Sequence, residues 1–69
     1  MNPLDIFLNG TSVQTQATDL QALLQERGQD LNAAFACAIN NQFVPRVQWP
    51  QRQLQTGDRI ELIAPITGG

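Results

Sequence analysis

The sequence predicts an α+β fold, a mixed sheet of four to five strands packed on one helix. Three observations predict it. Leu4, Ile6 and Leu8 share one face at period two near the start of the chain, and Ile60, Leu62 and Ala64 do the same near its end. Between them, Leu20, Leu23 and Leu24 recur at i, i+3 and i+4, a helical stripe. Asn9-Gly10 and Asn40-Asn41 interrupt extended runs as turn signals. A chain of 69 residues holds one domain and a thin core.

The elements follow in order. Leu4–Leu8 is the first strand, with Pro3 at its edge, where a missing N–H costs least. Asn9-Gly10 is the strongest short hairpin signal, because a type I′ turn needs positive φ at both central positions. Thr11, Val13 and Thr15 alternate along the returning strand. Thr18 is the expected helix N-cap, with Gln21 completing a Thr-x-x-Gln capping box. Asp19 suits the positive start of this helix of about three turns, Arg27 its negative end, and Gly28 the C′ position. So short a helix depends on packing its leucine stripe against the sheet.

Phe35–Ile39 reads as the third strand, with Phe35, Cys37 and Ile39 on one face. After the Asn40-Asn41 turn, Phe43-Val44-Pro45-Arg46 resumes an extended course, and Pro45 makes it an edge strand. Gly57-Asp58 is a turn and Arg59–Ala64 the last strand, stopped by Pro65. The domain is expected over 1–65. Residues 66–69 carry no folding pattern and are expected to form a mobile tail. If the first and last strands are neighbours, they run parallel across a crossover connection. That order matches the β-grasp arrangement of ubiquitin-like proteins.

Composition excludes several functions. Apolar residues make up 42% of the chain, a globular share, and charged residues only 14%, with a net charge of −2. Four scattered arginines and no lysine give no basic patch for nucleic acid. No apolar run approaches the roughly 20 residues of a membrane span. Met1–Asp5 lacks the basic start of a secretory signal, so the expected compartment is the cytoplasm. The single cysteine cannot form an internal disulfide. Histidine is absent, which excludes the usual Ser–His–Asp and Cys–His nucleophile systems and Cys/His zinc sites. An enzyme would have to work with carboxylates, arginine and Ser12 alone.

The remaining candidates have plain readings. Cys37 lies in an apolar strand with no basic residue beside it in sequence and reads as a core thiol. Asp58 and Glu61, beside Arg59, read as a turn residue and a solvated strand face. Arg46 and Arg52 read as surface cations. Trp49 reads as a cap on the core whose N–H finds a local acceptor. Phe7 and Ile63 point outward from the first and last strands. On neighbouring strands they would form an apolar patch beside the tail, joined by Ile66, and patches of this kind mark partner sites.

The chain ends in Gly68-Gly69. A trimmed end explains this, and so does a reactive carboxyl terminus. Without side chains, such a tail can thread a narrow channel to a nucleotide site. A carboxylate is a poor electrophile, but joining it to AMP supplies a leaving group that a sulfur nucleophile can displace.

Ala38-Ile39-Asn40, Val44-Pro45-Arg46, Trp49, Leu54, Gly57-Asp58, Ile60, Leu62 and Gly68-Gly69 together resemble the ThiS family of sulfur carriers in thiamine biosynthesis. The likeness spans nearly the whole chain. It implies a β-grasp carrier, not an enzyme, whose last glycine, here Gly69, is adenylated by an E1-like adenylyltransferase and converted to a thiocarboxylate. It implies that Thr67 and Gly68 lie in the partner's channel. The sulfur then passes to thiazole synthase, having come from a donor such as a cysteine desulfurase system. ATP and magnesium belong to the activating partner, and the carrier, a monomer when free, binds no cofactor or metal of its own. Pro65 before the tail is similar to the small subunit of molybdopterin synthase, which lacks the Val-Pro-Arg-x-x-Trp stretch. The alternatives are thus a carrier of that second kind, a ubiquitin-like modifier or interaction module, and a small enzyme.

Overall fold

The computed structural model describes residues 3–64. Its elements are β1 (Leu4–Leu8), β2 (Thr11–Thr15), α1 (Leu20–Glu26), β3 (Ala36–Ile39), β4 (Gln42–Val44), a 3-10 turn (Arg46–Gln48) and β5 (Arg59–Ile63). The strands form one sheet in the order β2-β1-β5-β3-β4. β1 and β5 run parallel at its centre, and the two hairpins flank them antiparallel. This is the ubiquitin-like β-grasp topology. Residues 66–69, the expected tail, and Pro65 before them lie outside the described residues.

The turns form as their residues require. Asn9 and Gly10 have φ of 51° and 84°, and Asn40 and Asn41 have 53° and 68°, the left-handed pairs a type I′ hairpin needs. Leu20, Leu23 and Leu24 pack with Ile6, Cys37, Ile39, Val44, Trp49, Leu54 and Ile60 in a single core. Each such leucine contributes about 1.5–3 kcal/mol by leaving water. Trp49 is buried, and its Nε1–H donates to the Val44 carbonyl at 3.0 Å, as expected of a core cap.

The helix differs from expectation in its start and its length, while Gly28 ends it as expected. Its N-cap is Asp19, whose carboxylate accepts from the Ala22 N–H at 2.8 Å, and Thr18 plays no capping part. The reason is tertiary. The Leu20 and Gln21 N–H groups donate to the Arg52 and Trp49 carbonyls, so the 49–52 segment fixes where the helix begins. The helix has seven residues, two turns rather than three. At the other end Gly28, at φ 76°, forms a Schellman pair: Gln29 donates to Leu24 and Gly28 to Gln25.

Three strand expectations also change. β3 begins at Ala36, leaving Phe35 in the preceding loop, stacked on Trp49 at 5.1 Å between ring centroids. β4 stops at Val44, and Arg46 starts a 3-10 turn instead of continuing extended. Ala64 lies past the end of β5 and is exposed, so Ile60 and Leu62 alone face the core from that strand.

Candidate functional site

The helix covers one face of the sheet and leaves the other open. Strand alternation assigns the open face. β5 contributes Arg59, Glu61 and Ile63; β3 contributes Ala36 and Ala38; β4 contributes Phe43; β1 contributes Asp5 and Phe7. Ile63 pairs with Ala36, and Ala38 lies between Glu61 and Phe43. Ile63 is 52% exposed and Phe43 67%, uncommon values for such large apolar side chains. The small alanines between them leave the surface low and continuous.

This apolar strip ends where β5 ends, at Ile63, one residue before Ala64, the last described residue. Beside it lies a groove of about 360 Å³ lined by Ala34, Phe35, Ala36, Arg46 and Ile63. One side chain builds its wall. The Arg46 guanidinium donates to the carbonyls of Leu31, of Ala33 at 2.8 Å and of Phe35 at 3.2 Å. It also lies over the Trp49 ring at 4.4 Å and the Phe35 ring at 5.3 Å. Arg46 therefore staples the 31–35 loop to the sheet edge and is not the free surface cation that its sequence context suggests.

Phe7 and Ile63 do not form one patch. They share the open face, but Phe7 is opposite Arg59 in the β1–β5 register. Ile63 lies four positions beyond Arg59, about 13 Å along the strand. Phe7 is half-buried beneath the Arg59 guanidinium, 5.2 Å from its ring centroid, while Ile63 joins the β3–β4 side. Ile66, Thr67, Gly68 and Gly69, the other expected partner-contacting and modified residues, lie outside the described residues. Phe43, Ala36 and Ala38 were legible as outward-facing by parity with buried Cys37, Ile39 and Val44, and only the register shows that they join Ile63.

The other candidates are structural. Asp58 is buried; its carboxylate accepts from Asn40 Nδ2 at 3.1 Å and the Gln55 N–H at 2.9 Å, with Arg52 at 3.9 Å. It locks the turn that leads into β5. Asn9 does more than turn the hairpin. Its N–H donates to the Ile60 carbonyl, and its Oδ1 accepts from the Leu62 N–H at 2.9 Å, extending the ladder beyond Leu8. Cys37 is buried, and burial pushes its thiol up from the ordinary 9.0 to about 11. The charge of Arg46 opposes this more weakly, so the thiol does have a basic neighbour, brought in from β4's far end by the fold. Among the described residues, no three His, Cys, Asp or Glu side chains gather as a metal would need, and no helix is long and apolar enough to cross a membrane.

A β-grasp domain with an apolar open face beside the end of its last strand has the architecture of small carrier and modifier proteins. The comparisons identify which. The ThiS family model matches residues 6–69, and the chain belongs to the ThiS family. It is 39% identical over 66 residues to the sulfur carrier protein ThiS of Escherichia coli (strain K12), covering 96% of this chain and all of that protein. The crystal structure of the thiamine biosynthesis protein ThiS from Geobacter metallireducens superposes with a TM-score of 0.82. That match covers 96% of this chain and all of the other at 16% identity, a likeness of fold.

Proposed function

We propose that this chain is the sulfur carrier for thiazole formation in thiamine biosynthesis, loaded at Gly69. The observation that carries the proposal is the extent of the family match, which runs through the sheet and on to the terminal Gly68-Gly69. The carboxylate oxygen of Gly69 attacks the α-phosphorus of ATP on an E1-like adenylyltransferase, and pyrophosphate leaves. The outer sulfur of a donor persulfide then attacks the acyl carbon, AMP departs with the bonding pair, and a thiol attacks the donor's sulfur in the resulting acyl disulfide, forming a disulfide with it as the thiocarboxylate leaves. The resulting thiocarboxylate delivers its sulfur to thiazole synthase.

The division of labour suits the geometry. The carrier contributes a surface and a tail; the nucleotide chemistry belongs to the partner. The Ile63–Ala36–Ala38–Phe43 strip and the adjoining groove dock the activating enzyme and the sulfur acceptor in turn, with Ile66 extending the contact. Five residues beyond Ala64 reach at most about 18 Å, so the docked face must sit close to the partner's reaction centre. Thr67 and Gly68 occupy the channel between them. Successive handover requires fast release, which a strip of this size favours over a large permanent interface.

Intact mass tests the proposal. The chain is incubated with an E1-like activating enzyme, ATP, magnesium and a sulfur source, beside a variant lacking Gly69. The expected result is a mass change equal to exchanging one oxygen for sulfur, absent from the variant. No AMP adduct and no sulfur gain, with an enzyme that loads its own carrier, overturns it.

A further inference from the structure

We propose that this chain is built to hold an activated acyl group on Gly69 without acylating its own side chains: amides occupy its surface where lysine amines would stand, and its one thiol is locked in the core. The proposal deepens the carrier reading and rests on it.

An acyl adenylate or thioester is open to any amine or thiol within reach. The nucleophile's lone pair attacks the acyl carbon, the leaving group departs with its bonding electrons, and the displaced proton passes to water. With an amine the product is an amide, and the carrier is spent. The tail's own reach of at most about 18 Å brings Gly69 over much of the open face of its own sheet. A neighbouring copy presents the same hazard.

The surface is composed accordingly. The chain has ten glutamines and five asparagines, and no lysine, histidine or tyrosine. Charged residues make up 14% of it, against about 25% in ordinary chains. Gln14, Gln48, Gln51, Gln53 and Gln55 are exposed and supply polarity through uncharged amides. All four side-chain cations are arginines, which stay protonated and offer no lone pair. Serine and threonine hydroxyls remain, but they are weak nucleophiles without an adjacent base.

Cys37 is the exception, and the fold removes it. Its backbone pairs with Leu62 on one side and Val44 on the other, and its side chain has no exposed surface. Burial also holds it protonated, with the thiol pushed up to about 11. The nucleophile is thus withheld both by access and by charge state.

The test installs the acyl group chemically. The chain is prepared with its α-amine acetylated and as a C-terminal mercaptoethanesulfonate thioester at Gly69, and the products are followed by intact mass with the expelled thiol removed by dialysis. Folded parent should lose its thioester to water alone and remain a linear monomer. Folded Glu61→Cys, which puts a thiol on the open face, should form cyclic or dimeric self-products at least tenfold faster. Ala38→Cys, opposite Glu61 on the same open face, is a second site within reach should Glu61→Cys not fold. Parent in guanidinium should self-react through the freed Cys37, and Cys37→Ala should abolish that reaction. Folded parent that forms self-products as fast as the open-face cysteine variants, or open-face cysteine variants no faster than parent, overturns the proposal. The thioester is made without an activating enzyme, so a failure of the carrier reading in the mass assay leaves this result standing.

Discussion

Replacing Arg46 with methionine keeps much of its apolar stem and removes the guanidinium. Three hydrogen bonds to loop carbonyls are lost, together with stacking on two rings. The carbonyls are on an exposed loop and regain water, so each bond counts at the low end, about 0.5 kcal/mol. The two ring contacts add about 1 kcal/mol in all. The sum is about 2.5 kcal/mol, and in a domain of this size each kcal/mol lowers Tm by about 4–8 °C, so Arg46→Met should melt about 10–20 °C below parent. Arg46→Lys should recover less than half of the loss, since an ammonium has no planar fork to reach three carbonyls and stack. Far-UV circular dichroism measures the melt, and Trp49 fluorescence reports the stripped ring. A melt of Arg46→Met within about 3 °C of parent would refute the staple.

Three further outcomes follow from the same geometry. Ile63→Asp should leave Tm nearly unchanged, because the side chain is half in solvent, yet weaken binding to the activating enzyme by about tenfold or more, the scale of a central interface residue. Phe7→Ser, about 13 Å away by register, should weaken it far less, and equal effects in titration calorimetry would count against the redrawn patch. Asn9→Gly keeps the turn's positive φ and loses only the bond to Leu62, costing about 1 kcal/mol, whereas Asn9→Ala should cost about 2 because it also strains φ. Denaturant titrations showing the two variants equally stable would remove the ladder role. Cys37 sets an alkaline limit. Its folded pKa lies above the unfolded one, so its contribution is complete below pH 9 and disappears as pH rises toward 11, about 3 kcal/mol across the window. With no lysine or tyrosine to titrate alongside it, Cys37→Ala should flatten the stability slope between pH 9 and 11, and an unchanged slope would contradict the burial effect.

Local chemistry made most of the fold legible. The Asn-Gly and Asn-Asn turns, the leucine stripe and the alternating strands are all short-range signals, and each leads to the element observed. What stayed hidden was long-range. The helix starts at Asp19 and not Thr18 because carbonyls some 30 residues later hold its first N–H groups. Outward parity placed Phe7 and Ile63 on one face, but parity has no longitudinal coordinate; the register of β1 on β5 sets them apart. Arg46 looked like any surface cation because its three acceptors belong to a loop 11–15 residues upstream. The charge beside Cys37 escaped notice for the same reason.

The Val44-Pro45-Arg46 stretch and Trp49 are engaged in packing. Val44 fills the core, Pro45 ends the edge strand, Arg46 clamps the loop, and Trp49 donates to Val44 beneath the guanidinium. These residues act as one unit, since the tryptophan ring is both the platform for the arginine and a wall of the core. A single replacement therefore disturbs the clamp, the core and the groove together. The unit also shapes the surface beside Ile63, at the end of β5. A carrier has little chemistry of its own, so what must be preserved is the shape it offers its partners. The residues by which this chain resembles its family belong in the scaffold that sets that shape.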